Sequence, residues 1–128
     1  MTTEETVMFS EDLVFIVMGS KKERTEVYDF INDLKVDEWN RILGTLRAIN
    51  TLLTHYCHKE KFKRVEGKIY EVKQFQIRIA CYWRDSRTLF AFMAFRKKAD
   101  DWPKAELIRA RKLLAECQQN DMARKKRE

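Results

Sequence analysis

Ile69-Tyr70-Glu71-Val72-Lys73-Gln74-Phe75-Gln76-Ile77-Arg78-Ile79-Ala80-Cys81-Tyr82-Trp83 reads as two strands joined by a tight turn. In the second strand, Ile77, Ile79, Cys81 and Trp83 take one face, and Gln76, Arg78, Ala80 and Tyr82 take the other. In the first, Glu71 and Lys73 share a face, with Tyr70 and Val72 opposite. Asp85-Ser86-Arg87 makes a second turn, and Thr88–Phe95 follows as a third strand that is apolar on both faces. Such a strand belongs in the middle of a sheet, covered on both sides. Connections this short join antiparallel neighbours, so residues 69–95 form a meander.

Working outward, Leu13–Met18 (LVFIVM) is a continuous apolar run ending at Gly19-Ser20, and it reads as a buried strand. Val27, Phe30, Ile31 and Leu34 lie at the spacing of one helical face, which predicts a short helix over Arg24–Leu34. A longer helix starts near Asp37, with Trp39, Ile42, Leu43, Leu46, Ile49, Leu52, Leu53 and Tyr56 as its stripe. Gly44 inside it costs about 1 kcal/mol against Ala, which so long a stripe can carry. His55–Gly67 reads as a charged connector. Beyond Asp100-Asp101-Trp102-Pro103, a last helix is expected over Lys104–Gln119, with Leu107, Ala110, Leu114 and Cys117 inward. Pro103 suits its first turn, and the two Asp residues suit its positive end. The expected organisation is a polar extension over 1–11, a single domain over 12–119 and a basic tail over 120–128.

Charge is unevenly placed. Residues 1–57 carry 6 Lys/Arg against 10 Asp/Glu, residues 58–98 carry 12 against 4, and residues 99–128 carry 8 against 6. An acidic front and a basic sheet suit an anionic partner, nucleic acid foremost. Cys57, Cys81 and Cys117 form no Cys-x-x-Cys pair, so neither a disulfide framework nor a metal site is expected, and buried thiols are the plain reading. The run at 13–18 is too short for a membrane span and lacks the basic flank of a signal peptide, so a cytoplasmic protein is expected.

The order strand, two helices, three-stranded meander, helix resembles the RelE/ParE superfamily of bacterial and phage toxins, and within it the phage-derived, HigB-like branch. The likeness covers roughly Leu13–Glu116. It is carried by Val27-Tyr28-Asp29-Phe30-Ile31-Asn32-Asp33-Leu34 and by Lys63-Arg64-Val65-Glu66-Gly67-Lys68-Ile69-Tyr70-Glu71-Val72. Gln76-Ile77-Arg78-Ile79, Phe95-Arg96-Lys97-Lys98 and Pro103-Lys104-Ala105-Glu106 with Ala110 complete it. The resemblance implies an α+β, RelE-like fold: a small, mostly antiparallel sheet of about four strands, two N-terminal helices packed on it, and a C-terminal helix. It further implies the toxin of a type II toxin–antitoxin system, a ribosome-dependent mRNA endonuclease that needs no metal or cofactor. Its partners would be the ribosome, mRNA and an antitoxin of helix-turn-helix type.

Transesterification by the ribose 2′-OH needs a base, cations for the phosphorane and an acid for the 5′-oxygen. Alternation puts Glu71, Lys73 and Arg78 together on a face expected to be exposed, with Lys97 or Lys98 leaving the third strand nearby. The resemblance assigns Lys73, Arg78 and Lys98 to phosphate binding. Arg78 and Lys98 are the leading candidates for transition-state charge, a guanidinium holding two phosphate oxygens at once. Many relatives carry a Tyr or His shortly after the last strand, and here Ala99-Asp100-Asp101-Trp102-Pro103 has neither. Glu71, a desolvated Lys73 or His58 is then left as the base. Lys61, Lys63, Arg64, Lys68, Arg96 and Lys97 are candidates for RNA or ribosome contact. The plain alternatives are a cross-strand Glu71–Arg78 pair, a solvated loop at Lys61–Arg64, and Trp102 as a plug beneath the last helix or a stacking surface for a base. A gyrase-inhibiting ParE-like toxin, or a non-catalytic phage-borne regulator binding RNA or a host protein, are the competing functions.

Overall fold

The computed structural model describes residues 4–97 and 101–127. Strands β1 (Glu5–Ser10) and β2 (Val14–Met18) precede helices α1 (Glu26–Asn32) and α2 (Val36–Leu52). Strands β3 (Phe62–Glu66), β4 (Ile69–Gln74), β5 (Ile77–Trp83) and β6 (Thr88–Arg96) follow, then helix α3 (Lys104–Arg127). The strands form one sheet in the order β1-β2-β6-β5-β4-β3. Only β2 and β6 run parallel, and all other neighbours are antiparallel.

The fold is α+β, but the expectation of about four strands with two N-terminal helices is not matched in detail. Among the described residues the sheet has six strands, and there are three helices besides a single 3-10 turn, Leu53–His55. Both added strands are edges. β1 lies in the stretch expected to be a polar extension, and β3 lies inside the stretch expected to be a connector. Each has one buried side chain, Phe9 and Phe62, so neither shows an alternating pattern strong enough to mark it.

The sheet is covered on both faces. On one, Phe15, Val17, Ile79, Cys81, Leu89 and Ala91 meet Val27 and Ile31 of α1 and Ile42, Leu46 and Ile49 of α2. On the other, Ile69, Ala80, Tyr82, Phe90, Phe92 and Met93 meet Ala110 and Cys117 of α3. A β-bulge explains why β6 is apolar throughout. Ala80 pairs with Met93 and Cys81 with Ala91, leaving Phe92 as the extra residue, so Phe92 and Met93 both join the α3-side core. Cys81 and Cys117 are buried, whereas Cys57 is exposed, which corrects the expectation of three buried thiols. Burial pushes the Cys117 thiol up to about 12 and raises Cys81 as well, with the Glu71 charge adding to the latter. No helix among the described residues is long and apolar enough to cross a membrane.

Candidate functional site

Register builds the site. Lys63 of β3 lies opposite Glu71 of β4, which lies opposite Ala80 of β5. One step along, Lys73 lies opposite Arg78, which lies opposite Phe95 of β6. Directly opposed residues share a face, so Lys63, Glu71, Lys73 and Arg78 sit together on the α3 side of the sheet. The alternation read from the sequence is correct, but the face is not exposed. The Glu71 and Arg78 side chains are 1% and 3% accessible.

Arg78 Nε is 3.3 Å from Glu71 Oε2, an ion pair without the alignment of a hydrogen bond. The same guanidinium also reaches backbone: its Nη1 donates to the Ile77 carbonyl at 2.9 Å and to the Phe75 carbonyl. The second Glu71 oxygen, Oε1, accepts the indole N–H of Trp102 at 2.9 Å. Trp102 stands edge-on to Phe95, with ring centroids 4.9 Å apart at 85°. The indole therefore covers the carboxylate and donates to it, a role missed by reading Trp102 only as a plug or a stacking surface. A buried indole N–H needs an acceptor, and Glu71 was the nearby acidic residue on that face.

Lys97 completes the cluster. It is 5% exposed, and its backbone N–H donates to the Gln76 carbonyl at 2.8 Å. Burial pushes its ammonium pKa down, the neighbouring Arg78, Lys63 and Lys73 cations push the same way, and Glu71 opposes them. Cations and one carboxylate thus share a field in the protein interior. Lys73 is less enclosed, with its Nζ 3.9 Å from Glu60 Oε2.

Beside this buried cluster lies a cleft of about 280 Å³ lined by Lys63, Arg64, Glu66, Glu71, Asp101 and Trp102. Arg64 is exposed, and Lys61 and Lys68 are exposed close by in sequence. Arg96 points the other way, into a two-pronged pair with Glu38 of α2 at 3.0 and 3.2 Å. Lys98 lies outside the described residues. His58 is exposed, its Nδ1 accepting the Glu60 N–H at 3.2 Å. The structure therefore brings together Glu71, Lys73, Arg78, Lys97 and Lys63, with Arg64 at the cleft. It separates Arg96 from them.

A family model described as phage derived protein Gp49-like (DUF891) matches residues 29–115, well over half of the chain. No curated protein matches it.

Proposed function

Because the chain belongs to the phage-derived Gp49-like family, which is associated with RelE-like toxins, we propose that it is a toxin that cleaves mRNA on the ribosome. The observation that carries the reading is the carboxylate of Glu71 held among Lys63, Lys73, Arg78 and Lys97. That is the inventory for metal-free transesterification: one proton acceptor, and cations where charge builds on the phosphorane. In this reading Glu71 takes the proton from the 2′-OH as its oxygen attacks phosphorus. The bond to the 5′-oxygen breaks, and Lys97 of the cluster, or Lys98 next to it in sequence, protonates the leaving oxygen. The products are a 2′,3′-cyclic phosphate and a 5′-hydroxyl end. Arg78 and Lys73 neutralise the phosphorane, while Lys63 and the exposed Lys61, Arg64 and Lys68 hold neighbouring phosphates. Substrate reaches Glu71 only when the Trp102 indole moves off it. An antitoxin, of helix-turn-helix type, would be the neutralising partner.

A translating extract with a defined mRNA tests this, new 5′ ends being mapped by primer extension. Cuts that require ribosomes are expected. One observation favours a second reading, a non-catalytic RNA-binding regulator: Arg78 is already engaged by Glu71 and two backbone carbonyls. Stalled translation with intact mRNA would select that reading. Intact mRNA with gyrase-linked DNA breaks would overturn both.

A further inference from the structure

Phe75 sits where an aromatic residue is least expected. Gln74 pairs with Ile77, so Phe75 and Gln76 are the corners of a two-residue hairpin loop. Phe75 has φ +52°, the left-handed slot that such turns usually give to Gly. It is 75% exposed and belongs to neither core cluster. The fold therefore carries backbone strain to present a ring that contributes nothing to the interior, a combination that points to function.

The surroundings say what the ring meets. The Arg41 guanidinium of α2 lies 5.1 Å from the ring centroid. Together they border a groove of about 410 Å³, also lined by Lys35, Glu38, Arg96 and the exposed Asp37. Glu38 is committed to Arg96, which leaves Lys35 and Arg41, both exposed, as the groove's cations without an ion pair among the described residues. An exposed π-face flanked by cations matches a single-stranded nucleotide: the base stacks and the phosphate meets the cations. The Phe75 carbonyl also accepts from Arg78, so the tip is fastened to the Glu71 cluster on the opposite face.

We propose that Phe75 is a stacking platform for one base of single-stranded RNA, with Lys35 and Arg41 holding the adjoining phosphate. This deepens the reading of the chain as an RNA-acting toxin and names a second RNA contact, away from the buried carboxylate.

The test is titration of the full chain with a fluorescently labelled single-stranded RNA heptamer at low salt, read by anisotropy. Losing one stacked base corresponds to a weakening of about 5- to 150-fold. Phe75→Ala and Phe75→Gly are expected to show that loss, and Phe75→Trp to keep wild-type affinity. RNA should also quench the emission that Phe75→Trp adds over wild type. Phe75→Gly should melt higher than wild type, because Gly relieves the strained φ, so its lost binding cannot be blamed on unfolding. Wild-type affinity in the Ala and Gly variants would overturn the proposal, as would unquenched added emission from the Phe75→Trp variant at saturating RNA. Unchanged heptamer binding with lost inhibition of translation would also overturn it, in favour of a protein occupant. If the mRNA stays intact in the extract while heptamer binding depends on Phe75, the nuclease reading fails and the platform stands. Ribosome-dependent cuts with Phe75-independent binding give the reverse.

Discussion

At the scale of single residues, the burial of Glu71 and Arg78 changes how mutations there must be read. Removing one member of a buried pair strands the other, at a cost of about 3–5 kcal/mol. Arg78→Ala takes the guanidinium away from Glu71 Oε2 and leaves the Trp102 indole donating to Oε1. That variant is expected to lose about 3 kcal/mol in urea unfolding, whereas Glu71→Leu combined with Arg78→Met should recover only part of the loss, because the Trp102 indole then lacks its acceptor. Loss of ribosome-dependent cutting in Arg78→Ala alone would then report folding as much as chemistry. Lys73 is the cleaner probe, since its ion pair with Glu60 is long and that partner is exposed. Lys73→Ala should change stability by less than about 1 kcal/mol and still reduce ribosome-dependent cutting. Unreduced cutting would remove Lys73 from the site. Lys97 offers a pH signature. Its folded pKa lies below the unfolded value, so between the two the unfolded chain binds more protons and stability rises with pH. Wild type should therefore gain stability relative to Lys97→Met as pH climbs through that window towards 10.5, measured as urea midpoints.

At the scale of elements, the start of α1 shows how local chemistry sets a boundary. Thr25 Oγ1 accepts the Tyr28 N–H at 3.1 Å and donates to the Met18 carbonyl at 2.7 Å, so one side chain caps α1 and fastens it to the end of β2. Gly19 makes room for this: its φ is +100°, and a Cβ there would lie 2.6 Å from that Oγ1. Thr25→Ala is expected to cost about 1 kcal/mol. Gly19→Ala should cost more, because it adds a left-handed strain to the clash. Equal melting temperatures for Gly19→Ala and wild type would contradict the packing described. The helical stripes of α1 and α2 and the meander were legible because burial on one or both faces imposes a period on the sequence. Edge strands escape that logic, since β1 and β3 each bury one side chain and spend the rest on solvent or half-covered surface. The site was half legible for the same reason. Alternation put Glu71, Lys73 and Arg78 on one face, but a period-2 pattern cannot tell an open face from one capped by a distant helix. The Trp102–Glu71 bond joins residues 31 apart, and no local pattern encodes it.

At the scale of the whole molecule, one polar hub joins the outermost strand, the sheet and the last helix. Arg84, in the turn between β5 and β6, pairs with Glu5 of β1 at 2.7 Å and lies 3.2 Å from Asp121 of α3. Arg124 of α3 reaches the same Glu5 at 2.6 Å, Tyr82 donates to Asp121, and the Arg84 guanidinium lies 4.1 Å from the Phe90 ring centroid. The basic C-terminal stretch, expected to be a solvated tail, is thus helical to Arg127 and anchored through Asp121 and Arg124. Burial raises the Glu5 carboxyl pKa, but the hydrogen bonds and charges of Arg84 and Arg124 outweigh it and hold the group below its ordinary value. A depressed folded pKa gives stability that is fully present above the unfolded carboxylate value and lost as pH falls through the folded one. Wild type should therefore exceed Glu5→Gln in urea midpoint at about pH 6, and the gap should shrink on acidification below about pH 4.5. A gap that stays constant with pH would mean that Glu5 contributes shape rather than charge. Because the hub spans β1 and the end of α3, its loss should also appear at a distance. Amide exchange in Glu5→Gln is expected to accelerate in the last turns of α3 and in β1, while the β4–β5 pairing around Glu71 keeps its protection.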